Sequence, residues 1–425
     1  MTTNELPAQM NTLQLLSTRV GLAALYLFAF SGGWSTAGIY SGLALMLLAL
    51  LPQAPLVWRK WRGEHLFWWV ILLTAYLLVT TAWSAFRLPS LADEQWRSGW
   101  GLVIIGGPLT LVTAWWIGGD ERLIRRVLLL ALAGFVLGLC LRIDWQQLPN
   151  YLHGVRMTHD VHYDRSPNAT GLYTAISLLG LFVFTTWDWH HFGRRQKVLV
   201  AVLGGVLAVV LLQLLIFSQS RAAWLGFVPL MLAIVLLYAR RHGFSSRYQL
   251  LVLGVGLSIL VALLWYYLPV LEKRVVEQYN NGAVMTRFEL WRIGLAAFVD
   301  RPLLGWGGGS VEYLLRQGNM HAYPHLHNLY LQMLVTIGGI GALLFAVVYG
   351  HIVRRAWRVW RQGRISEDIA LFLAAATLQF LIAAFFQVRH DEAWGKYFII
   401  LIGAIAASYR LLQHRAQTSG DSRVR

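Results

Sequence analysis

The sequence predicts an all-α integral membrane protein of about twelve transmembrane helices, one polytopic domain over residues 1–413 followed by a polar tail at 414–425. Three observations carry this. Apolar residues come in long uninterrupted runs, not at the period of a strand or an amphipathic helix. Hydrophobic residues make up 57% of the chain and charged ones only 13%, against roughly 25% charged in a soluble domain. And the connections between runs alternate between short basic segments and longer mixed ones.

The runs fall at roughly 12–30, 36–51, 66–83, 99–117, 122–141, 170–187, 197–217, 222–238, 248–268, 326–350, 367–387 and 394–413. A span needs about 20 apolar residues. Backbone polar groups in lipid must bond within the segment, so each run is expected to be a helix. The first residues, MTTNELPAQMNTLQ, lack the basic start of a cleavable signal peptide, and the first run is expected to stay as a span.

The formal net charge is +16, but in a membrane protein its distribution matters more than its sum. WRKWR (58–62), ERLIRR (121–126), GRRQK (193–197), ARRHGFSSR (239–247), RRAWRVWRQGR (354–364) and the tail form one set of basic connections. The positive-inside bias puts that set, and both termini, in the cytoplasm, with membrane lipids and not nucleic acid as the partner of the charge. The other set contains the only two long connections, 142–169 and 269–325, which are expected to lie on the non-cytoplasmic side. Cys140 is the only cysteine, which excludes an internal disulfide.

Within the second long loop, Val284, Phe288, Trp291, Leu295 and Phe298 share a helical face flanked by Arg287 and Arg292. The pattern predicts an amphipathic helix on the membrane surface, ended by Pro302 and the Gly305–Gly309 run. That glycine-rich run lacks the Lys-Ser/Thr of a phosphate loop and reads better as a turn that folds the loop back.

Several residues have side chains suited to chemistry. Arg221, in a very short outer turn, is either a cation snorkelling to the interface or a fixed guanidinium facing an anion, since its planar fork binds phosphate bidentately and keeps its charge. Arg287 has the same two readings, while Arg292 reads as a headgroup contact. His327 and Asn328 open the tenth run, where His327 is a polar cap or a general base. His321, His325 and His327 invite a metal, but Pro324 breaks the register that would align the first two. HDVHYD (159–164), with His153 and Arg156, offers a contact surface for substrate and no specific ligand spacing. Arg389, Asp391 and Glu392 suggest a local ion pair; His190 and His191 read as solvated loop residues. No metal and no cofactor is expected.

SRAAWLGF (220–227), TRFELW (286–291), DRPLLGWGGG (300–309) and HNLYLQMLVTIGGIG (327–341), in this order around a long outer loop, resemble the O-antigen ligase and polymerase superfamily. Ligases of that superfamily show an Arg followed four residues later by Leu, met by Arg221 and Leu225, and a His followed eleven residues later by Gly, met by His327 and Gly338. The resemblance implies a metal-independent, inverting glycosyltransferase of the bacterial inner membrane. It would move a glycan, the O-antigen, from undecaprenyl diphosphate to a sugar hydroxyl of lipid A–core at the periplasmic face. It implies Arg221 and Arg287 on the diphosphate and His327 as the base, with Arg156, Trp291, Asn328 and Arg389 as weaker candidates for binding substrate.

Three alternatives stay open. Two are related enzymes, a polymerase that lengthens carrier-linked glycan and a protein O-oligosaccharyltransferase. The third is a lipid-linked sugar flippase or transporter, which would place charges in mid-span. Compact length and a minimal tail lean toward the ligase.

Overall fold

The computed structural model describes residues 12–153, 167–187, 193–242, 265, 268–269, 272, 276, 283–320, 323, 325–363, 365–386 and 392–418. Among these, all regular structure is helical. In chain order the helices are α1 (Thr12–Ser31), α2 (Thr36–Leu50), α3 (Ala54–Trp61), α4 (His65–Arg87), α5 (Ala92–Gly106), α6 (Pro108–Ile117), α7 (Glu121–Arg142) and α8 (Leu148–Leu152). They continue with α9 (Pro167–Thr186), α10 (Arg194–Ser218), α11 (Arg221–His242), α12 (Ala283–Asp300), α13 (Ser310–Gln317), α14 (Leu329–Gln362), α15 (Glu367–Ala384) and α16 (Glu392–Thr418).

Ten segments among the described residues are long and apolar enough to cross a bilayer, and the protein is a multi-pass integral membrane protein. They coincide with ten of the twelve expected runs. The run at 394–413 is helical as part of α16 but is not one of the ten; most of the run at 248–268 lies outside the described residues.

The helices form two compact units. One comprises Met1–Leu141, Leu290–Thr377 and Ala384–Arg425; the other comprises Arg142–Glu289 and Leu378–Ala383. In the first, α1 packs on α2, α4 on α5 and α14, and α16 on α5, α6 and α14. In the second, α9 packs on both α10 and α11.

Arginines and carboxylates lock the basic ends of the first unit. Glu64, in the turn before α4, pairs with Arg410 of α16 at 2.7 Å and with Arg355 of α14 at 3.5 Å. Arg125 of α7 meets Asp368 of α15, whose side chain is only 2% exposed, at 2.8 Å. Glu121 takes Arg415 at 2.7 Å and also accepts from Ser366. A carboxylate buried this deeply is tolerable only when paired, so these contacts fix which helix ends lie side by side.

The longest helix, α14, is broken inside its membrane span. Gly338 has φ 67° and ψ −178°, a conformation essentially restricted to glycine. A break exposes backbone groups that lipid cannot satisfy, and here five of them find partners in the protein. The carbonyls of Val335 and Thr336 accept from the amides of Trp306 and Gly307 at 2.9 and 2.8 Å. The Ile337 carbonyl accepts from the Tyr76 hydroxyl of α4 at 2.7 Å. Beyond the break, the Gly339 and Ile340 amides donate to the carbonyls of Pro302 and Leu303 at 2.7 and 3.2 Å. The loop 301–309 is thus laid into the break, backbone against backbone.

This close approach explains the glycines. A Cβ on Gly338 would lie 2.2 Å from the Leu303 carbonyl oxygen, and one on Gly305, itself at φ +71°, would lie 2.5 Å from the Gly338 nitrogen. Gly307, Gly308 and Gly309 pack directly against Ser84, Ser98 and Glu94 on α4 and α5. The run folds the loop back, as its composition predicts.

Replacing Gly338 with Ala is expected to cost roughly 3 kcal/mol or more, from a forbidden conformation and a backbone clash together. Gly350→Ala is the control, since a Cβ at Gly350 in the same helix meets nothing within 4 Å. Thermal unfolding in detergent should show a large fall for the first and no fall for the second; equal midpoints would refute this account of the break.

Candidate functional site

His327 sits in the non-helical link that enters α14. Its φ is 53°, in the left-handed region, which costs a non-glycine residue strain and marks positions held by their surroundings. Both chain neighbours are anchored. The Leu326 carbonyl accepts from the Trp291 indole nitrogen at 3.1 Å. The Leu326 amide donates to the Gln332 side-chain oxygen at 3.1 Å. On the other side, Asn328 is the N-cap of α14, its side-chain oxygen accepting from the Leu331 amide at 3.0 Å. This is the usual device for satisfying a free donor at a helix start.

The imidazole has aromatic neighbours. The His325 ring lies 4.3 Å from it and the Tyr323 ring 6.2 Å, edge to face. Under this segment lies an apolar cluster of Leu290, Ala297, Val311, Leu315, Leu326, Leu331 and Val335. It seats α12 and α13 against the first turns of α14. Trp306 ties in from the loop, its indole donating to the Ala297 carbonyl at 2.8 Å while the Arg301 guanidinium lies 3.7 Å over its ring.

Helix α12 forms where the sequence predicts, but not with the expected single apolar face. Leu290, Gly294 and Ala297 are buried, with Trp291, Ile293 and Phe298 packed against the same cluster. Phe288 and Leu295 instead face outward beside Met285 and Val299. Apolar residues occur all round this helix, so periodicity alone does not choose the buried side; the neighbouring cluster does. Arg292 is exposed on the outer side, while Arg287, three residues before Leu290, is half-buried.

Arg221 is the first residue of α11, directly after a tight turn in which Gln219 is left-handed at φ 48°. Ser218 and Ser220 are fully buried, with Gly171 of α9 against them. The side chain of Gln379 donates to the Ala223 carbonyl at 3.1 Å and so braces the first turn of α11. Arg221 itself is exposed at the surface of this turn, as is Leu225 one turn on.

Arg221 and Arg287, 66 positions apart in sequence, belong to one unit and interact. Burial, and after it the positive charge of Arg221, push the Arg287 guanidinium below its ordinary value. Arginine stays charged through shifts of this kind. The pair is therefore two fixed like charges within electrostatic reach, a suitable receptor for a multiply charged anion.

Of the residues singled out from sequence, the structure brings Trp291, His327 and Asn328 into one hydrogen-bonded segment, and Arg221 and Arg287 into one electrostatic pair. Arg156 and Arg389 lie outside the described residues, as do His321, Pro324, His190, His191 and the HDVHYD segment. Among the described residues, no group of three or more His, Cys, Asp or Glu is assembled for a metal ion. Three contributors went unrecognised in the sequence: Gln332 and Leu326, which hold the histidine's link, and Tyr76, which caps the break in α14. Gln332 carried a signal, being a polar residue four positions after the N-cap in an apolar run. Tyr76 carried none.

Asn328→Ala should lower stability by about 1 kcal/mol, whereas Asn328→Asp should keep it, because the carboxylate still caps. Trp291→Phe should leave the helix content intact but speed hydrogen exchange in the peptide over 325–332; unchanged exchange would mean that the indole does not hold the link.

The comparison with known families bears on the same stretch. Residues 206–346 match the model of the Wzy_C family, described as O-antigen ligase. No curated protein matches the chain. The matched third holds Arg221, Arg287, Trp291, His327, Asn328 and Gly338, and excludes Arg156 and Arg389. Over these residues the chain is similar to the Wzy_C family, described as O-antigen ligase, and the matched stretch lies within a multi-pass membrane bundle.

Proposed function

We propose that the protein is an O-antigen ligase, moving a glycan from undecaprenyl diphosphate to a sugar hydroxyl of lipid A–core at the periplasmic face of the bacterial inner membrane. The observation that carries the reading is that Arg221 lies within electrostatic reach of Arg287, both inside the segment matched to the O-antigen ligase family. The leaving group of such a donor is a diphosphate whose negative charge grows as the glycosidic bond breaks. Guanidinium groups aimed at that charge stabilise the transition state more than the ground state.

The bonds balance without ATP. The acceptor oxygen attacks the anomeric carbon from the face opposite the diphosphate, the carbon–oxygen bond to the carrier breaks, and the diphosphate departs with the electron pair. His327 takes the proton of the attacking hydroxyl. Inversion at the anomeric centre follows from a single displacement. In this reading Trp291 and Asn328 position His327, and Arg156 and Arg389 are further candidates for contacts to glycan or lipid phosphate.

Sidedness follows from charge. Arg221 opens a helix that ends in the basic segment Arg240–Arg241, and His327 precedes a helix that ends in Arg354, Arg355, Arg358 and Arg361. Arg221 and His327 thus lie at the ends of these helices away from the basic residues, which the positive-inside bias assigns to the periplasm, with both termini cytoplasmic. The family domain also spans polymerases and O-oligosaccharyltransferases, so the acceptor is what the experiment must resolve.

Purified protein should convert carrier-linked donor and lipid A–core to a single ligated product in detergent without added nucleotide. His327→Ala should lose about 10²–10⁴-fold in turnover, the range for removing a general base, while still binding donor. Arg221→Ala and Arg287→Ala should lose donor binding as well, and the Lys variants should recover only part of it, because an ammonium lacks the bidentate fork. Turnover by His327→Ala within threefold of wild type would remove the base assignment. Lengthening of carrier-linked glycan, with no transfer to lipid A–core, would replace ligase by polymerase.

A further inference from the structure

The basic end of the first unit holds a second arginine pair that the reading above does not use. Arg355 of α14 and Arg410 of α16 are 12% and 9% exposed, and both are bound to one carboxylate, Glu64. Glu64 Oε1 takes the Arg410 Nε at 2.7 Å and Oε2 takes an Arg355 nitrogen at 3.5 Å. One negative charge thus serves two buried positive ones.

Hydrogen bonding is short by the same measure. Arg355 Nη1 and Arg410 Nη2 are buried and have no hydrogen-bond partner. Guanidinium donors almost never stay unsatisfied in a protein interior, and an unpaired buried donor points to an absent ion or water. The surroundings add positive charge: Arg358 donates to the Tyr409 hydroxyl at 2.8 Å, and Arg355 lies 4.8 Å over the Tyr409 ring. Glu64 itself is 19% exposed, so the group opens to the surface at its carboxylate.

The level of the site in the membrane is marked by tryptophans. Trp58 and Trp68, beside the Glu64 turn, and Trp357, on the same helix as Arg355, are all exposed. Trp68 also donates to the Arg62 carbonyl at 2.9 Å. Exposed tryptophans gather at the headgroup level of a bilayer, which is where lipid phosphates lie. Basic pockets between membrane helices are known sites for anionic headgroups.

We propose that Arg355 and Arg410, with Glu64 between them, form a binding site for the phosphate of an anionic phospholipid, which supplies the missing negative charge and ties α4, α14 and α16 together. Rotation of either guanidinium presents its unused N–H groups at the Glu64 opening, where a phosphate oxygen accepts them.

The test uses the whole protein in maltoside micelles, which contain no phosphate. Phosphatidylglycerol should raise the unfolding temperature along a saturating curve, and native mass spectrometry should show retained lipid. Arg355→Met and Arg410→Met should each weaken the apparent affinity about tenfold, the size of one lost charge-assisted hydrogen bond; Arg361→Met, at an exposed arginine of α14, should not. Glu64→Gln should bind the lipid more tightly than wild type, a gain that simple damage to the fold does not produce. Equal affinity in all four variants and wild type, or no stabilisation and no retained lipid, would overturn the site. Inorganic phosphate giving the same saturating stabilisation would keep the phosphate site and overturn the lipid as its occupant.

Discussion

The break in α14 at Gly338 is the constraint from which the rest of this architecture follows. A bilayer offers no hydrogen bonds, so an interrupted membrane helix survives only if protein groups take over every freed donor and acceptor. Here the loop 302–307 and Tyr76 take over five of them. That requirement fixes the loop's path to within a hydrogen bond, demands glycine at two facing positions, and leaves Trp306 where its indole reaches back to α12. The loop is therefore part of the core and not a surface connection, and α12 is placed by it.

From the break, order passes to His327. The part of α14 before Gly338 is a short segment of about two turns, held at its far end by the loop and at its near end by the Asn328 cap. Such a segment moves as one piece. The link before it is pinned through Leu326 by Trp291 and Gln332, so the left-handed backbone of His327 is imposed from both sides. A site supported by packed helices and a hydrogen-bonded shell holds its geometry far better than one on a free loop. This supplies a physical sense for the eleven-residue spacing between the histidine and the glycine: the cap and the short helical segment from Leu329 separate the residue being positioned from the break that anchors its support.

How much of this was legible in the sequence depends on which force wrote it. The spans were readable because lipid demands long apolar runs, and α1, α4, α7, α10 and α11 fall on theirs. Asn328 was readable as a helix start because capping is local chemistry. The buried side of α12 was not, because its apolar residues surround the helix and only the partner cluster decides that Trp291 and Phe298 turn in while Phe288 and Leu295 turn out. Gly338 was visible as part of a motif but not as a break, since one glycine in an apolar run carries no mark of the loop 30 residues earlier that fills it. The pairing of Glu64 with Arg355 and Arg410 joins positions nearly 300 and 350 residues apart, and no local pattern encodes it.

Arginine serves two opposite ends in this chain, and the surrounding charge tells them apart. Arg125 and Arg415 sit against Asp368 and Glu121, where a neighbouring carboxylate turns the guanidinium into a strut. Arg221 and Arg287 are held within electrostatic reach of each other, and the partial burial of Arg287 adds to the cost of keeping both charged. Arginine cannot escape that cost by losing its proton, as a lysine or histidine would. A multiply charged anion arriving there removes the repulsion on binding. In the proposed reaction the glycosidic bond breaks with its electron pair left on the departing diphosphate, so its negative charge grows and the interaction strengthens along the reaction coordinate. That is the condition under which binding energy accelerates a reaction and does not merely retain the substrate.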